Sequence, residues 1–338
     1  MLSSYIFLSG GLGYIGSHIA VSLLSKGFSV IIADSLYNSK IEVLDKIKEI
    51  VGNDKYKNLI FYQYDLLSID KCREIFEKHN ISTIIHLAGL KAVYESIEKP
   101  ILYYDVNINL CLNLLKIMEE KNINNFIFSS SATVYNDKNT VPFTESGERG
   151  ATHAYGNSKI FQEIILENFQ KAHPNKSITI LRYFNPVGCH PSGLIGENPN
   201  GIPNNLMPYI LKVVKGSLPK LSIFGNNYNT KDGTCVRDFI HVCDLAEGHV
   251  AALINQNICG LYIYNLGTGI GISVLDIVNE MNRITGGKVK YEFAPRREGD
   301  LPECYSNPSK AELDLGWKAK YGIKEMCEHS YLFCKLNL

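Results

Sequence analysis

The sequence predicts an α/β protein built on a doubly wound parallel sheet, followed by a smaller mixed α/β C-terminal lobe. Two observations carry this. Short apolar, β-branched runs alternate with helical stretches through the first 186 residues, the pattern of strands covered by helices on both faces. A glycine-rich turn follows the first run, and an acid closes the second, which is the layout of a nucleotide-binding sheet. A chain of 338 residues is long for one core, so two domains are expected. These are residues 1–186, to which a segment at about 236–265 returns, and residues 187–338.

The first unit reads as a strand at 4–9, the turn GGLGYIG at 10–16, and a helix through Lys26. Within the turn, Gly11, Gly13 and Gly16 satisfy G-x-G-x-x-G, and Gly10, Gly13 and Gly16 satisfy G-x-x-G-x-x-G. Glycine serves there for the tight turn, for approach of a pyrophosphate to the helix N-terminus, and for close helix–strand packing. Strand before and helix after make this a Rossmann-type fingerprint. The second strand, 28–33, ends on Asp34. A carboxylate there accepts from ribose hydroxyls and repels a 2′-phosphate. No Arg follows in 35–39, so NAD is favoured over NADP. The other role open to Asp34 is capping a helix expected at 39–51.

The pattern then repeats: a strand at 59–64 ending in Asp65, a helix at 68–79, and a strand at 82–87 leading into Ala88 and Gly89. A helix is expected at 100–121, with Pro100 in its first turn, where proline is tolerated. A strand at 124–128 ends in Ser129–Ser131, and the last strand of the sheet is 178–183. Ligands of such sheets bind at the carboxyl ends of strands. Asp34, Asp65, Ala88–Gly89 and Ser129–Ser131 all fall there.

The stretch ATHAYGNSK at 151–159 opens a helix expected to run to about Lys171. Tyr155 and Lys159 are four apart, hence on one helix face. A phenol of pKa ~10 needs about 4 kcal/mol to act as a base near neutral pH, and an adjacent ammonium supplies part of it. Ser131 is the third member, a hydroxyl able to hold both a substrate oxygen and the phenol. The alternative is an ordinary exposed Tyr and Lys on an amphipathic helix, but the nucleotide-binding pattern upstream favours chemistry.

After Gly188 the texture changes. Residues 189–235 are rich in Pro, Gly and Asn, as in a loop-rich binding lobe. Helices are expected at 207–216, 243–254 and 274–285, and a strand at 262–265. Leu313, Leu315 and Trp317 are expected to close a small C-terminal core. Arg237 and Arg297 are candidates to clamp a diphosphate. From residues alone this is an NAD-dependent Tyr–Lys oxidoreductase acting on a phosphorylated or nucleotide-bearing substrate.

Composition excludes several classes. The net charge is zero, 34 basic against 34 acidic residues, and charges are dispersed, which argues against nucleic-acid or membrane-surface partners. Mean hydropathy is −0.05, and neither a membrane span nor a secretory signal is read. Nine cysteines make no C-x-x-C pair, which suits free thiols in a reducing, cytoplasmic setting. Nine histidines show no ligand spacing, so no metal is expected.

Several blocks resemble the UDP-glucose 4-epimerase family. They are GGLGYIGSH at 10–18, DSLYNS at 34–39, AGLKAV at 88–93, SSSATVY at 129–135 and YGNSK at 155–159, and later RYFNP at 182–186, PNNLMP at 203–208, VRDFIHV at 236–242 and PRREGDLP at 295–302. The resemblance covers residues 5 to 320 or so. It implies an extended short-chain dehydrogenase/reductase fold and tightly held NAD that is regenerated each turnover. Tyr155 would be acid and base at the sugar C4 hydroxyl, Lys159 and the cofactor's charge would depress its pKa, and Ser131 would orient the C4 oxygen with help from Thr133. By the same matching Gly10, Gly13, Tyr14, Ile15, Gly16, Asp34, Asn38, Ser39, Asp65, Leu66, Lys91, Asn107, Lys159 and Tyr183 would line the NAD site. Phe184, Asn185, Asn205, Leu206, Phe224, Arg237, Arg297 and Asp300 would hold the UDP-sugar, together with Ser131, Tyr155 and Cys304. A homodimer through the helices at about 100–121 and 155–171 is implied.

Three positions depart from the family pattern. Asn136 and Tyr94 stand where glycine is usual. Cys304 stands at a wall position held by tyrosine in members restricted to unacetylated hexoses, so UDP-GlcNAc and UDP-GalNAc are expected as further substrates. The alternative readings are another nucleotide-sugar enzyme (a 4,6-dehydratase, UDP-glucuronate decarboxylase or UDP-glucuronate 4-epimerase) and a non-catalytic NAD-binding scaffold. A dehydratase needs an Asp–Glu pair after Ser131, where Ala132 and Thr133 stand, and a scaffold has no need of Tyr155 and Lys159.

Overall fold

Apolar runs become the strands β1 (Tyr5–Ser9), β2 (Ser29–Ala33), β3 (Leu59–Tyr62), β4 (Ile81–His86), β5 (Asn125–Ser131) and β6 (Ser177–Tyr183). The helices between them are α1 (Tyr14–Ser25), α2 (Val43–Val51), α3 (Asn53–Tyr56), α4 (Ile69–Lys78), α5 (Val93–Glu98), α6 (Pro100–Glu120) and α7 (Ala154–Ala172). The computed structural model describes residues 4–201, 203, 205–255, 258–297 and 299–338. Asn204 and Glu298, which fall inside two of the blocks quoted above, lie outside the described residues.

The remaining elements are β7 (Asn185–Val187), α8 (Leu206–Val214), β8 (Leu221–Phe224), β9 (Val236–Arg237), β10 (Phe239–His241), α9 (Val242–Asn255) and β11 (Gly260–Leu266). They continue with β12 (Ile272–Ser273), α10 (Val274–Thr285), β13 (Tyr291–Ala294), β14 (Glu303–Cys304), α11 (Ser309–Leu315) and α12 (Ile323–Asn337).

Seven strands form one sheet in the order β11-β6-β5-β4-β1-β2-β3. The pairs β1–β2, β1–β4, β2–β3 and β4–β5 are parallel. The order reverses between β1 and β4, the switch point at which doubly wound sheets bind nucleotides. Its core gathers Phe7, Ile31, Ile84, Phe126 and Phe128 from strands with Leu114 and Ile117 from α6. Each side chain so buried contributes roughly 1.5–3 kcal/mol.

The chain divides into two units. One comprises residues 1–136, 149–182 and 246–264, the other 137–148, 183–245 and 265–338. The second unit has its own core, with Ile210 and Leu211 of α8, Ile277 and Met281 of α10 and Met326 of α12. Small sheets join β10 to β7, β13 to β8, and β12 and β14 to either side of β9.

Some expectations need correction. Helix α2 starts at Val43 instead of at 39, because Ser39 spends its hydroxyl on Asp34 at 2.7 Å. Strand β3 ends at Tyr62, two residues early. Helix α5 is an addition, tied by Tyr103, whose Oη donates to Glu95 and accepts from the Ala92 amide, both at 3.0 Å. Leu313 is 84% exposed on α11, whereas Leu315 and Trp317 are buried. Two residues turn a helix by ~200°, so Leu313 and Leu315 cannot face the same core. Trp317 is fixed by its indole N–H on the Asp244 carbonyl at 2.9 Å.

Candidate active site

The turn from β1 into α1 is shaped by glycine. Gly10 has φ +70°, and a Cβ on it would come within 2.9 Å of the Ala88 backbone. A Cβ on Gly16 would meet the Gly10 oxygen at 2.5 Å, so helix and turn touch directly. Gly13, the N-cap of α1, is different: a Cβ there would meet only the Gly10 oxygen, at 3.4 Å. The helix N-terminus therefore opens onto free space, flanked by the part-exposed Tyr14 and Ile15. That is a cradle for a pyrophosphate.

Asp34, at the end of β2, accepts the Leu12 amide on Oδ2 (3.0 Å) and the Leu36 amide and Ser39 hydroxyl on Oδ1 (2.9 and 2.7 Å). One carboxylate thus fixes both flanking loops and keeps lone pairs for a ribose. Asn38 is exposed beside it. Asp65 accepts the Leu67 amide at 2.9 Å, and Asn113 donates to the carbonyls of Leu66 and Leu67. After β4, Ser9 Oγ accepts the amides of Leu87 and Ala88, so its own proton goes to His86 Nδ1 at 2.8 Å. Asn107 is buried and fully engaged with Leu90 N, Leu90 O and Ser158 Oγ. It shapes the loop that carries Lys91, which is exposed. Cradle, acid and loops fit an NAD molecule.

Tyr155 and Lys159 sit on the first turns of α7. Lys159 is buried, its Nζ donating to the Ser129 carbonyl at 2.7 Å and lying 4.8 Å from the Phe128 ring centre. Burial pushes its pKa down to about 8. Ser131 acts on the Tyr155 phenol in the direction that lowers its pKa. Ser131 Oγ also accepts Thr133 N and Oγ1, at 3.2 and 3.0 Å, so Thr133 steadies the serine. The Tyr155 pKa is raised, not depressed, because burial outweighs the Ser131 hydrogen bond and the Lys91 charge. Lys159 stands 6.0 Å from the phenol ring centre and is bonded to Ser129, which explains its small influence there. Beneath, Glu163 binds Ser130, Arg149 and Arg182. Neither Glu163 nor Arg149 stood out in the sequence.

The second unit brings together Arg237, Arg297, Asp300 and Phe224. Asp300 accepts from Arg237 Nη2 at 3.5 Å and from Arg297 Nε at 3.0 Å. Arg297 lies over the Phe224 ring at 4.5 Å, a cation–π contact. Cys304 pairs in register with Arg237 across β14 and β9, and burial pushes its thiol up to about 11. The strand is held by Asp238, which sequence reading missed. Its buried carboxylate accepts from Thr268 N and Oγ1, Gly269 N, and Ser306 N and Oγ. Asn205 caps the start of α8 by position, its amide donating to Glu197 at 2.8 Å, with Leu206 next. Tyr183 and Phe184 are buried and Asn185 is exposed on β7. Among the described residues no three His, Cys, Asp or Glu gather as a metal site, and no helix is long and apolar enough to cross a membrane.

A family described as GDP-mannose 4,6 dehydratase matches residues 7–330. A UDP-glucose 4-epimerase of Bacillus subtilis is 49% identical over 98% of this chain and 97% of its own. The chain belongs to the UDP-glucose 4-epimerase family. The UDP-glucose 4-epimerase of Bifidobacterium longum, solved with NAD+ and UDP, superposes with a TM-score of 0.94 at 44% identity over 99% of both chains. The UDP-Glc/GlcNAc 4-epimerase of Campylobacter jejuni does so at 0.85 and 32%, covering 98% of this chain and 99% of that one. The epimerase family is one of NAD-dependent isomerases.

Proposed function

We propose that the chain interconverts UDP-glucose and UDP-galactose through transient oxidation at the sugar C4, with NAD retained. The observation that carries this is Tyr155 on the first turn of α7, its phenol acted on by Ser131 and its ring 6.0 Å from the buried Lys159 ammonium, in the unit that also holds the glycine cradle and Asp34. The amides opening α1 would hold the pyrophosphate, Asp34 the adenosine ribose and Lys159 the second ribose. NAD, when bound, supplies acceptance of hydride from C4 and its return.

Tyr155 takes the C4 hydroxyl proton as that carbon is oxidised and gives it back on reduction. Burial raises its pKa, while the Ser131 hydrogen bond and Lys91 already act in the opposite sense. The positive charge of the oxidised cofactor adds to them. Ser131 holds the C4 oxygen. Arg237 and Arg297, already gathered by Asp300, would hold the diphosphate while the sugar presents either face. Phe184, Asn185, Asn205, Leu206 and Phe224 complete the UDP side.

Cys304 extends the reading to UDP-GlcNAc and UDP-GalNAc. A small neutral thiol leaves room for a 2-acetamido group, and the Campylobacter jejuni relative is named for both sugar types. Two copies are proposed to pair through α6 and α7, whose outward faces expose Ile101, Phe161 and Ile164. Nine free cysteines suit a cytoplasmic setting.

The test is NMR of the purified chain with UDP-galactose and no added cofactor. Appearance of UDP-glucose supports retained NAD and 4-epimerisation. No interconversion even after NAD is supplied would overturn the function.

A further inference from the structure

His153 occupies the N-cap of α7, two residues before Tyr155. Its Nδ1 accepts the Gly156 amide proton at 3.1 Å, so that nitrogen is unprotonated and the ring is neutral with its hydrogen on Nε2. The Asn157 amide reaches the His153 carbonyl at 3.0 Å, so ring and main chain hold the first turn together. The imidazole lies parallel to the Tyr155 ring, centroids 6.1 Å and planes 2° apart. There is no slack around Gly156. A Cβ on it would meet Ala151 Cβ at 2.5 Å, the Thr133 oxygen at 3.0 Å and His153 Cε1 at 3.1 Å.

Helix caps are usually Ser, Thr, Asn or Asp, whose accepting oxygens survive mild acid. A histidine cap does not, because its unperturbed pKa is ~6.5. We infer that His153 is a positioning residue for Tyr155 that works only while neutral, so that alignment of the first turn of α7 is lost in acid. This rests on the reading of Tyr155 as the group that moves the proton.

Protonation turns Nδ1 from acceptor to donor, aimed at a backbone N–H that then has no partner. It also places a cation at the positive end of the helix dipole. The ring must leave, and its stacking on Tyr155 goes with it. The imidazole is stacked on Tyr155 and bonded to the Gly156 amide, and among the described residues no cation or carboxylate contributes to its shift. Lys91 acts on Tyr155, while burial alone lowers the His153 pKa. With the folded pKa below the unfolded ~6.5, the cap is fully present above that pH. It is lost as pH falls through the folded value.

The experiment compares wild type, His153→Asn and His153→Ala. It measures kcat and KM for UDP-galactose from about pH 5 to 9, and follows the His153 ring in the holoenzyme by NMR. Wild-type kcat falls at least about tenfold in acid with KM within about twofold. The Asn variant caps without titrating, so it keeps kcat within about twofold near pH 8 and its acid fall moves down by about one unit or more. The Ala variant loses about five- to tenfold near pH 8 and converges with wild type in acid, where both lack the cap. An Asn variant with the wild-type acid limb, or an Ala variant with wild-type kcat near pH 8, would overturn the inference. So would a His153 ring titrating above ~6.5. A ring that titrates low in a chain epimerising no sugar at any pH refutes the function while the cap stands.

Discussion

Arg182 meets Glu163 as a two-pronged ion pair in the interior, Nε to Oε1 at 3.0 Å and Nη2 to Oε2 at 2.8 Å. Glu163 lies one helical turn beyond Lys159. Its Oε1 also accepts the Ser130 hydroxyl at 2.5 Å, and its Oε2 accepts from Arg149 at 3.2 Å. The neighbouring Ser129 carbonyl receives Lys159. Helix α7 is therefore fixed to β5 at two successive turns, and to β6 through Arg182.

Removing one partner of this pair leaves a buried charge without its counter-ion. Arg182→Met or Glu163→Gln should each cost about 3–5 kcal/mol of stability, read by urea unfolding. The double variant should cost less than the sum of the singles, because neither charge is then left alone. Additive losses would show that the two side chains act independently.

The residues readable in the sequence are those whose partners are close along the chain. Gly10–Gly16, Asp34 and the Tyr155–Lys159 pair declare themselves by local spacing within one turn, one strand or one helix. Glu163, Arg182 and Asp238 do not. Asp238 accepts hydrogen bonds from residues 30 and 68 positions away, and Arg182 pairs across 19, so no short spacing marks them. Leu313 was misread for the opposite reason. Two apolar residues two apart look like one face only in a strand, and α11 is a helix. The raised Tyr155 pKa was illegible because it depends on burial, which spacing does not report.

Tyr155→Phe removes the hydroxyl proposed to move the C4 proton and keeps the ring beside His153. Turnover should fall by about 10²–10⁴-fold while bound NAD, measured after denaturing the purified protein, stays at the wild-type level. Near-normal turnover would mean that another group carries the proton.

Cys304→Tyr puts a bulky side chain at the position in register with Arg237 that is proposed to leave room for a 2-acetamido group. Activity on UDP-GalNAc should drop by at least about tenfold, with kcat/KM for UDP-galactose within about threefold of wild type. A parallel fall on both sugars would instead point to damage at Arg237 and Asp238, which receives and gives hydrogen bonds beside the cysteine.

The last prediction concerns Lys159, whose pKa burial lowers to about 8 from ~10.5 in an unfolded chain. Between those values the unfolded state holds more protons than the folded one, so the sign is that stability contributed at this site rises with pH. Below pH ~8 the folded protein keeps a buried ammonium at a cost that desolvation sets. Lys159→Met removes that titration, and the orphaned Ser129 carbonyl it leaves behind is a penalty independent of pH. The Tm of the variant minus that of wild type should therefore fall steadily from about pH 8 to 10. Measured by calorimetry on the cofactor-free protein, a difference constant across that range would place the Lys159 pKa at its ordinary value, and the ammonium would then be well solvated or paired in the fold.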